Sequence, residues 1–215
     1  MSASSRERIL AAIRRSQEKQ PVNRGDISER LQARPRGPLP SVADDLEAAL
    51  IDRLLSAACT VGHANSPARI GEEVAQWLQE QGAGLKLVRS SSPLLESVIW
   101  PDSVDVRDPV DGMDRNTTVT EAFCAIAETG SLVKLSSRES PTALNYLPDN
   151  FICVVHRERI VRHIEDAWER LRAEQEGMPR ALNMITGPSR TADVEQTIQL
   201  GAHGPRRMHV IIYGK

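Results

Sequence analysis

The sequence predicts an α/β domain with a largely parallel sheet covered on both faces. Three observations carry this prediction. Apolar runs of strand length alternate with helical patterns along most of the chain. The run Met208-His209-Val210-Ile211-Ile212-Tyr213 is almost continuously apolar, as expected of a strand buried on both faces. Between such runs stand sharply punctuated helices, of which Ser66-Pro67 to Gly82 is the clearest: an N-cap serine, proline at the first helical position, an apolar stripe and a terminal glycine.

Taken in order, Arg6–Ser16 places Ile9, Leu10 and Ile13 at helical spacing and reads as a short amphipathic helix. Gln17–Pro40 is rich in Pro, Gly, Arg and Gln and reads as a linker or extended arm. Residues 1–43 are therefore expected to form an appendage and residues 44–215 the globular domain. Within it, Asp44–Ala57 is expected as a helix with Leu46, Leu50 and Leu54 on one stripe. Cys59–Ala64 is a strand, and Ile70, Val74, Trp77 and Leu78 form the face of the next helix. Leu85–Val88 and Val98–Trp100 are further strand candidates, and the Asp-rich Pro101–Asn116 is expected as loop built on Asp-Pro and Asp-Gly turns. Phe123–Ala127 and Ser131–Leu135 read as strands joined by a tight turn at Glu128-Thr129-Gly130. A hydroxyl-rich loop, Ser136–Pro141, precedes a buried strand at Phe151–Val155. A long helix then carries Ile160, Ile164, Trp168 and Leu171. The C-terminal stretch, Ala181–Gly214, reads as strand, loop, short helix, loop, strand. Thr191 is its expected N-cap, Asp193 and Glu195 suit the first turn, and Val194 and Ile198 form an i,i+4 pair. A strand–helix–strand unit of this kind implies a right-handed parallel crossover.

Composition removes several classes of function. With 215 residues the chain has room for a sizeable core. A net charge of -2 gives no nucleic-acid footprint, and 3% aromatic content leaves few residues on which bases could stack. The three cysteines, Cys59, Cys124 and Cys153, form no C-x-x-C pair and fit no zinc or iron–sulfur spacing. Their apolar surroundings read as reduced core thiols of a cytoplasmic protein. No apolar run approaches the roughly 20 residues that span a bilayer, and the N-terminal residues are charged throughout, unlike a signal peptide. Neither a Walker A nor a G-x-G-x-x-G run is present.

The chemistry-bearing residues fall in two turns. If the strand ending at Ala127 and the strand ending at Thr186 run parallel, Glu128, Thr129, Gly130 and Ser131 come near Gly187, Ser189, Arg190 and Thr191. One carboxylate, several hydroxyls and a guanidinium beside a helix N-terminus would form an anion site, with Glu128 as general base or nucleophile. Capping alone accounts equally well for Ser189 and Thr191, and a solvated turn for Glu128. Asp193 disfavours a polyphosphate there and suits a small carboxylate or the ribose hydroxyl of a nucleotide-like ligand. His203, in the loop Gly201-Ala202-His203-Gly204-Pro205, would lie about 12–14 Å from Thr191 at the far end of the crossover helix. It and Gly204 therefore read as helix-end or interface residues. His209 lies in a buried strand pattern and reads as a hydrogen-bonded core residue.

Ala125–Val133, Gly187–Glu195 and Gly201–Arg206, in this order, resemble the lactate-utilisation (LUD-domain) family, in particular its LutC/YkgG branch. The resemblance implies a three-layer α/β/α fold similar to the NagB/RpiA/CoA-transferase group. It also implies a part in oxidising L-lactate to pyruvate beside two iron–sulfur partner proteins (LutA- and LutB-like). On that reading the clusters sit on the partners, and this chain binds no cofactor of its own. The resemblance settles no catalytic residue. A stand-alone acyl- or CoA-transfer enzyme using Glu128 and a non-catalytic scaffold stay open as alternatives, as does a homo-oligomer.

Overall fold

The computed structural model describes residues 5–18, 24–34, 36–109, 116–192 and 198–214. The chain divides into two compact units, residues 1–39 and 40–215. The first holds α1 (Ser5–Glu18) and α2 (Arg24–Ala33). The second helix corrects the expectation of a continuous linker. Ser28-Glu29-Arg30-Leu31-Gln32-Ala33 is a run dominated by good helix formers, and every proline of the arm but one (Pro21) lies beyond its end.

The second unit opens with α3 (Leu46–Ser56), capped by the Asp45 side chain, which accepts from the Ala48 backbone N–H at 3.0 Å. It continues through β1 (Thr60–Ala64), α4 (Pro67–Glu80), β2 (Lys86–Arg89), α5 (Pro93–Glu96), β3 (Asp105–Arg107) and β4 (Thr117–Glu121). Next come β5 (Cys124–Ile126), β6 (Ser131–Leu135), α6 (Ala143–Tyr146), β7 (Asn150–His156), β8 (Ile160–Val161) and α7 (Ile164–Glu174). The chain closes with β9 (Leu182–Ile185), β10 (Arg190–Ala192), β11 (Ile198–Leu200) and β12 (Arg207–Tyr213).

Six strands form a parallel sheet in the order β1-β12-β7-β4-β2-β3. Its central strands alternate between two cores. Ile152, Val154 and Ile211 pack with Ile70, Val74, Trp77 and Leu78 of α4 on one face. Phe151, Cys153, Val155, Val210 and Ile212 pack on the other face against Leu50 and Leu54 of α3 and against a second sheet. At about 1.5–3 kcal/mol for each fully buried large apolar side chain, these faces are the main force holding α3 and α4 in place. The second sheet, β8-β5-β6-β9, combines one parallel and two antiparallel pairings, and α7 covers its outer face through Ala167 and Ile164. The three-layer architecture around a mostly parallel sheet is thus present, with a small sheet sharing one covering layer.

Local signals held where they were strongest. Ser66 caps α4, Pro67 opens it, and Gly82 ends it at φ +61°. Elsewhere tertiary packing prevailed. Val98–Trp100 is not a strand: its backbone crosses α4 at Gly71, where an added Cβ would lie 2.2 Å from the Ile99 carbonyl oxygen. β3 interrupts the Asp-rich segment expected to be loop, and residues 110–115 of that segment lie outside the described residues. Ile160 belongs to β8 rather than to the helix after it. Cys59, Cys124 and Cys153 are buried and unpaired. Among the described residues no helix is long and apolar enough to cross a membrane, and no group of three His, Cys, Asp or Glu side chains is placed to hold a metal ion.

The largest correction falls on the C-terminal stretch. β9 joins the second sheet through β6, whereas β12 lies inside the parallel sheet between β1 and β7, so no crossover links them within one sheet. Arg190, Thr191 and Ala192 pair antiparallel with Leu200, Gln199 and Ile198. The N-cap assigned to Thr191 and the helical place of Ile198 are therefore replaced by strand. The helical pattern there rested on one i,i+4 pair, against four β-branched residues (Thr191, Val194, Thr197 and Ile198) that favour extended backbone. Asp193, Val194 and Glu195 lie outside the described residues.

Candidate functional site

The turn after β5 is built for close approach. Gly130 has φ +70°, and its N–H donates to the Ile126 carbonyl at 2.9 Å. A Cβ at Gly130 would stand 2.7 Å from the Arg53 Cβ of α3. Gly187, at φ +81°, meets the same helix end, where a Cβ would lie 2.8 Å from the Ala57 carbonyl oxygen. Both turns are thereby held against the C-terminal end of α3.

Between them runs a chain of hydroxyls. Pairing of β6 with β9 sets Leu132 opposite Ile185 and brings Ser131 beside Thr186. Thr129 Oγ1 lies 2.7 Å from Ser131 Oγ, which lies 2.6 Å from Thr186 Oγ1. β5 and β9 both run antiparallel to β6, so the strands before the two turns are parallel to each other.

Glu128 has a partner that the sequence does not reveal. Parallel pairing of β5 with β8 draws the turn to Arg162 and His163, and the Glu128 N–H donates to the Arg162 carbonyl at 3.0 Å. Glu128 Oε2 then lies 3.0 Å from His163 Nδ1. The carboxylate side chain is 16% exposed and the imidazole 8%, so the pair is shielded from water on most sides. An ionised carboxylate only accepts, so Nδ1 carries the proton of this contact and Nε2 is left as the basic nitrogen. The His163 backbone N–H donates to the Asp166 carboxylate at 2.8 Å, fixing the imidazole at the start of α7. On its other side Glu128 borders a cleft of about 360 Å³ lined by Val42, Ala49, Asp52 and Arg53. Arg162 holds the Val42–Ala43 segment of that lining by donating to the Val42 and Ala43 carbonyls at 2.7 and 3.0 Å.

The second motif is arranged differently from its expected form. The Ser189 N–H donates to the Pro205 carbonyl at 2.8 Å, and the Gly201 N–H donates to the Ser189 carbonyl at 3.1 Å. A Cβ at Gly204 would come within 3.2 Å of the Ser189 Cβ. The loop carrying His203 and Gly204 therefore folds back onto Ser189 instead of lying at the opposite end of a helix, and His203 is exposed. Arg190 is exposed too, and its charge acts on Cys59 from nearby. Burial nevertheless pushes that thiol up to about 12. Of the expected constellation, the structure brings Thr129, Gly130, Ser131 and Gly187 together beside α3, with Thr186 as an added partner. The carboxylate of Glu128 meets His163 rather than Arg190.

His163 escapes a reading of the sequence because its relation to Glu128 depends on the register of two short strands. The only local signal is His163-x-x-Asp166 at a helix start. A buried histidine of another kind is His209. It is stacked on Trp77 at 5.1 Å between ring centroids, with Nδ1 2.8 Å from Thr60 Oγ1 and Nε2 3.4 Å from Glu73 Oε1. The His209 imidazole 3.4 Å away holds the Glu73 carboxyl below its usual range.

Residues 112–213 match the LUD domain, a span that contains the Glu128–His163 pair and the hydroxyl chain. The chain is 34% identical over 143 residues to Lactate utilization protein C of Deinococcus radiodurans, covering 65% of this chain and 58% of that protein. It is 32% identical over 100 residues to Lactate utilization protein C of Bacillus subtilis, covering 45% and 42%. The chain spans about half the length of the curated relatives it matches. The crystal structure of a DUF162 family protein from Deinococcus radiodurans superposes with a TM-score of 0.62 at 26% identity, over 81% of this chain and 100% of that one.

Proposed function

We propose that this chain, with its match to the LUD domain, works in lactate utilisation as a component of an L-lactate-oxidising system. Electron transfer belongs to iron–sulfur partner proteins (LutA- and LutB-like), and this chain contributes a small-carboxylate site at Glu128, His163 and the adjoining hydroxyls. The observation that carries the reading is the agreement of relatives from different genera, each named Lactate utilization protein C, over a chain whose LUD match contains the shielded pair.

The chemistry of the pair fits a proton-handling role. Glu128 orients the imidazole through Nδ1, which leaves Nε2 to accept a proton from a bound hydroxy acid. Thr129, Ser131 and Thr186 form a linked set of donors and acceptors beside it, suited to the hydroxyl and carboxylate of a hydroxy acid. The buried, unpaired thiols suit the reducing cytoplasm, where we place the protein.

Reconstitution tests the reading. The purified chain is combined with candidate iron–sulfur partners, and L-lactate-dependent reduction of an acceptor dye is followed. The rate is expected to depend on the chain; an equal rate without it would refute the proposal.

A further inference from the structure

The parallel sheet has a second place suited to a ligand, away from the Glu128 turn. After β2 the chain passes outward through Ser90–Ser92 and α5 to β3, whereas after β4 it turns away through Ala122 into the second sheet. β2 and β4 are neighbours, so their following loops diverge at one point of the carboxyl edge, where ligands of open α/β sheets settle. A hollow of about 420 Å³ opens there, with Ser90, Ser91, Glu121 and Ser137 among its walls. The loops are fastened together: the Ser90 N–H donates to the Val119 carbonyl at 2.9 Å, and the Ser91 N–H to the Glu139 carbonyl at 3.1 Å. Beneath them the fully buried Lys134 donates to the Glu121 carbonyl.

Ser137 also borders an adjoining hollow of about 570 Å³ that carries Arg138 and Arg180. The charge pattern of the two hollows is distinct. Arg159, in the first, is neutralised by Glu174 at 2.9 Å. Arg138 and Arg180 have no acidic partner among the described residues. One end of the combined groove thus offers hydroxyls, which exchange hydrogen bonds with alcohol groups, and the Glu121 carboxylate, which accepts from them and repels anions. The other end offers two uncompensated guanidinium groups, which favour phosphate or carboxylate.

From this juxtaposition we infer that the groove from Ser90 and Glu121 to Arg138 and Arg180 binds a small polyhydroxylated anion, its hydroxyls toward Glu121 and its anionic group on the arginines. The inference does not rest on the lactate reading. Calorimetric titration of the intact chain tests it with glycerol 3-phosphate, D-glycerate and the neutral control glycerol. At least one of the two anions is expected to bind saturably, and glycerol is expected to bind more weakly. The double variant Arg138→Gln/Arg180→Gln should weaken anion binding about tenfold or more, as loss of charge-assisted hydrogen bonds requires. Both arginines are exposed, so the variant should keep the wild-type melting temperature. Preference for glycerol 3-phosphate identifies a phosphate at the arginine end, and preference for D-glycerate a carboxylate; either supports the inference. No saturable binding of either anion up to about 10 mM, or binding unchanged in the double variant, would overturn it.

Discussion

Gly130→Ala isolates the contact that seats the Glu128 turn on α3. Two effects act together at this position. The backbone has φ +70°, where a side chain costs about 1–2 kcal/mol. The new methyl would also fall 2.7 Å from the Arg53 Cβ, an overlap that forces α3 or the turn to shift at about 1–3 kcal/mol. Gly82→Ala is the matched control: φ is +61°, and nothing lies within 4 Å of an added Cβ. It carries the backbone penalty without the overlap, and the gain of about 0.4–1 kcal/mol from the less flexible unfolded chain is common to both variants. Gly130→Ala should therefore be the more destabilising by about 1–3 kcal/mol. In thermal melts of a domain this size that is a gap of about 2–12 °C. Urea unfolding should show a lower midpoint with an unchanged slope. Equal losses for the two variants would refute the packing of this turn on α3.

Other consequences are open to measurement. The Glu73 carboxyl is held below its usual value by His209, so its stabilising contribution is whole above about pH 4.5 and is lost as pH falls through its lower folded value. Glu73→Gln should flatten that acid limb in pH-dependent melts, and an unchanged limb would contradict the assignment. Burial pushes the Lys134 amine down from 10.5, so the folded state disfavours the charged lysine increasingly as pH drops below that value. Lys134→Met should gain stability relative to the wild type between pH 10 and pH 7; a relative loss would show the ammonium to be well compensated. Cys59 and Cys124, both pushed up to about 12, should resist a thiol reagent at pH 8 in the folded protein and react on unfolding.

The fold was legible where a local signal and the packing agree. Ser66, Pro67 and Gly82 bound α4, and the apolar run at Met208–Tyr213 is a central strand. The C-terminal stretch was misread because a helical spacing of two residues competed with β-branched backbone preference, and strand pairing decided the outcome. The expected parallel direction of the strands before the two turns holds for β5 and β9, but the contact made there runs from Ser131 to Thr186, which the sequence does not single out. The partner of Glu128 was not readable, because β5 and β8 meet over only two registered pairs. The groove at β2 and β4 needs the strand order, which sequence periodicity does not encode. Glu128, Ser189 and Arg190 all stood out in the sequence as chemistry, but only topology separates the carboxylate held by His163 from the exposed arginine.

The most direct test of the central claim is the reconstituted lactate-dependent reduction of an acceptor with Glu128→Gln in place of the wild-type chain, its melting temperature measured alongside. The amide keeps the shape but loses the charge that orients and stabilises the imidazole. The expected result is a rate lower by about tenfold or more, as loss of a positioned acid–base group requires, with folding retained. A folded Glu128→Gln chain that supports the full rate would contradict the account.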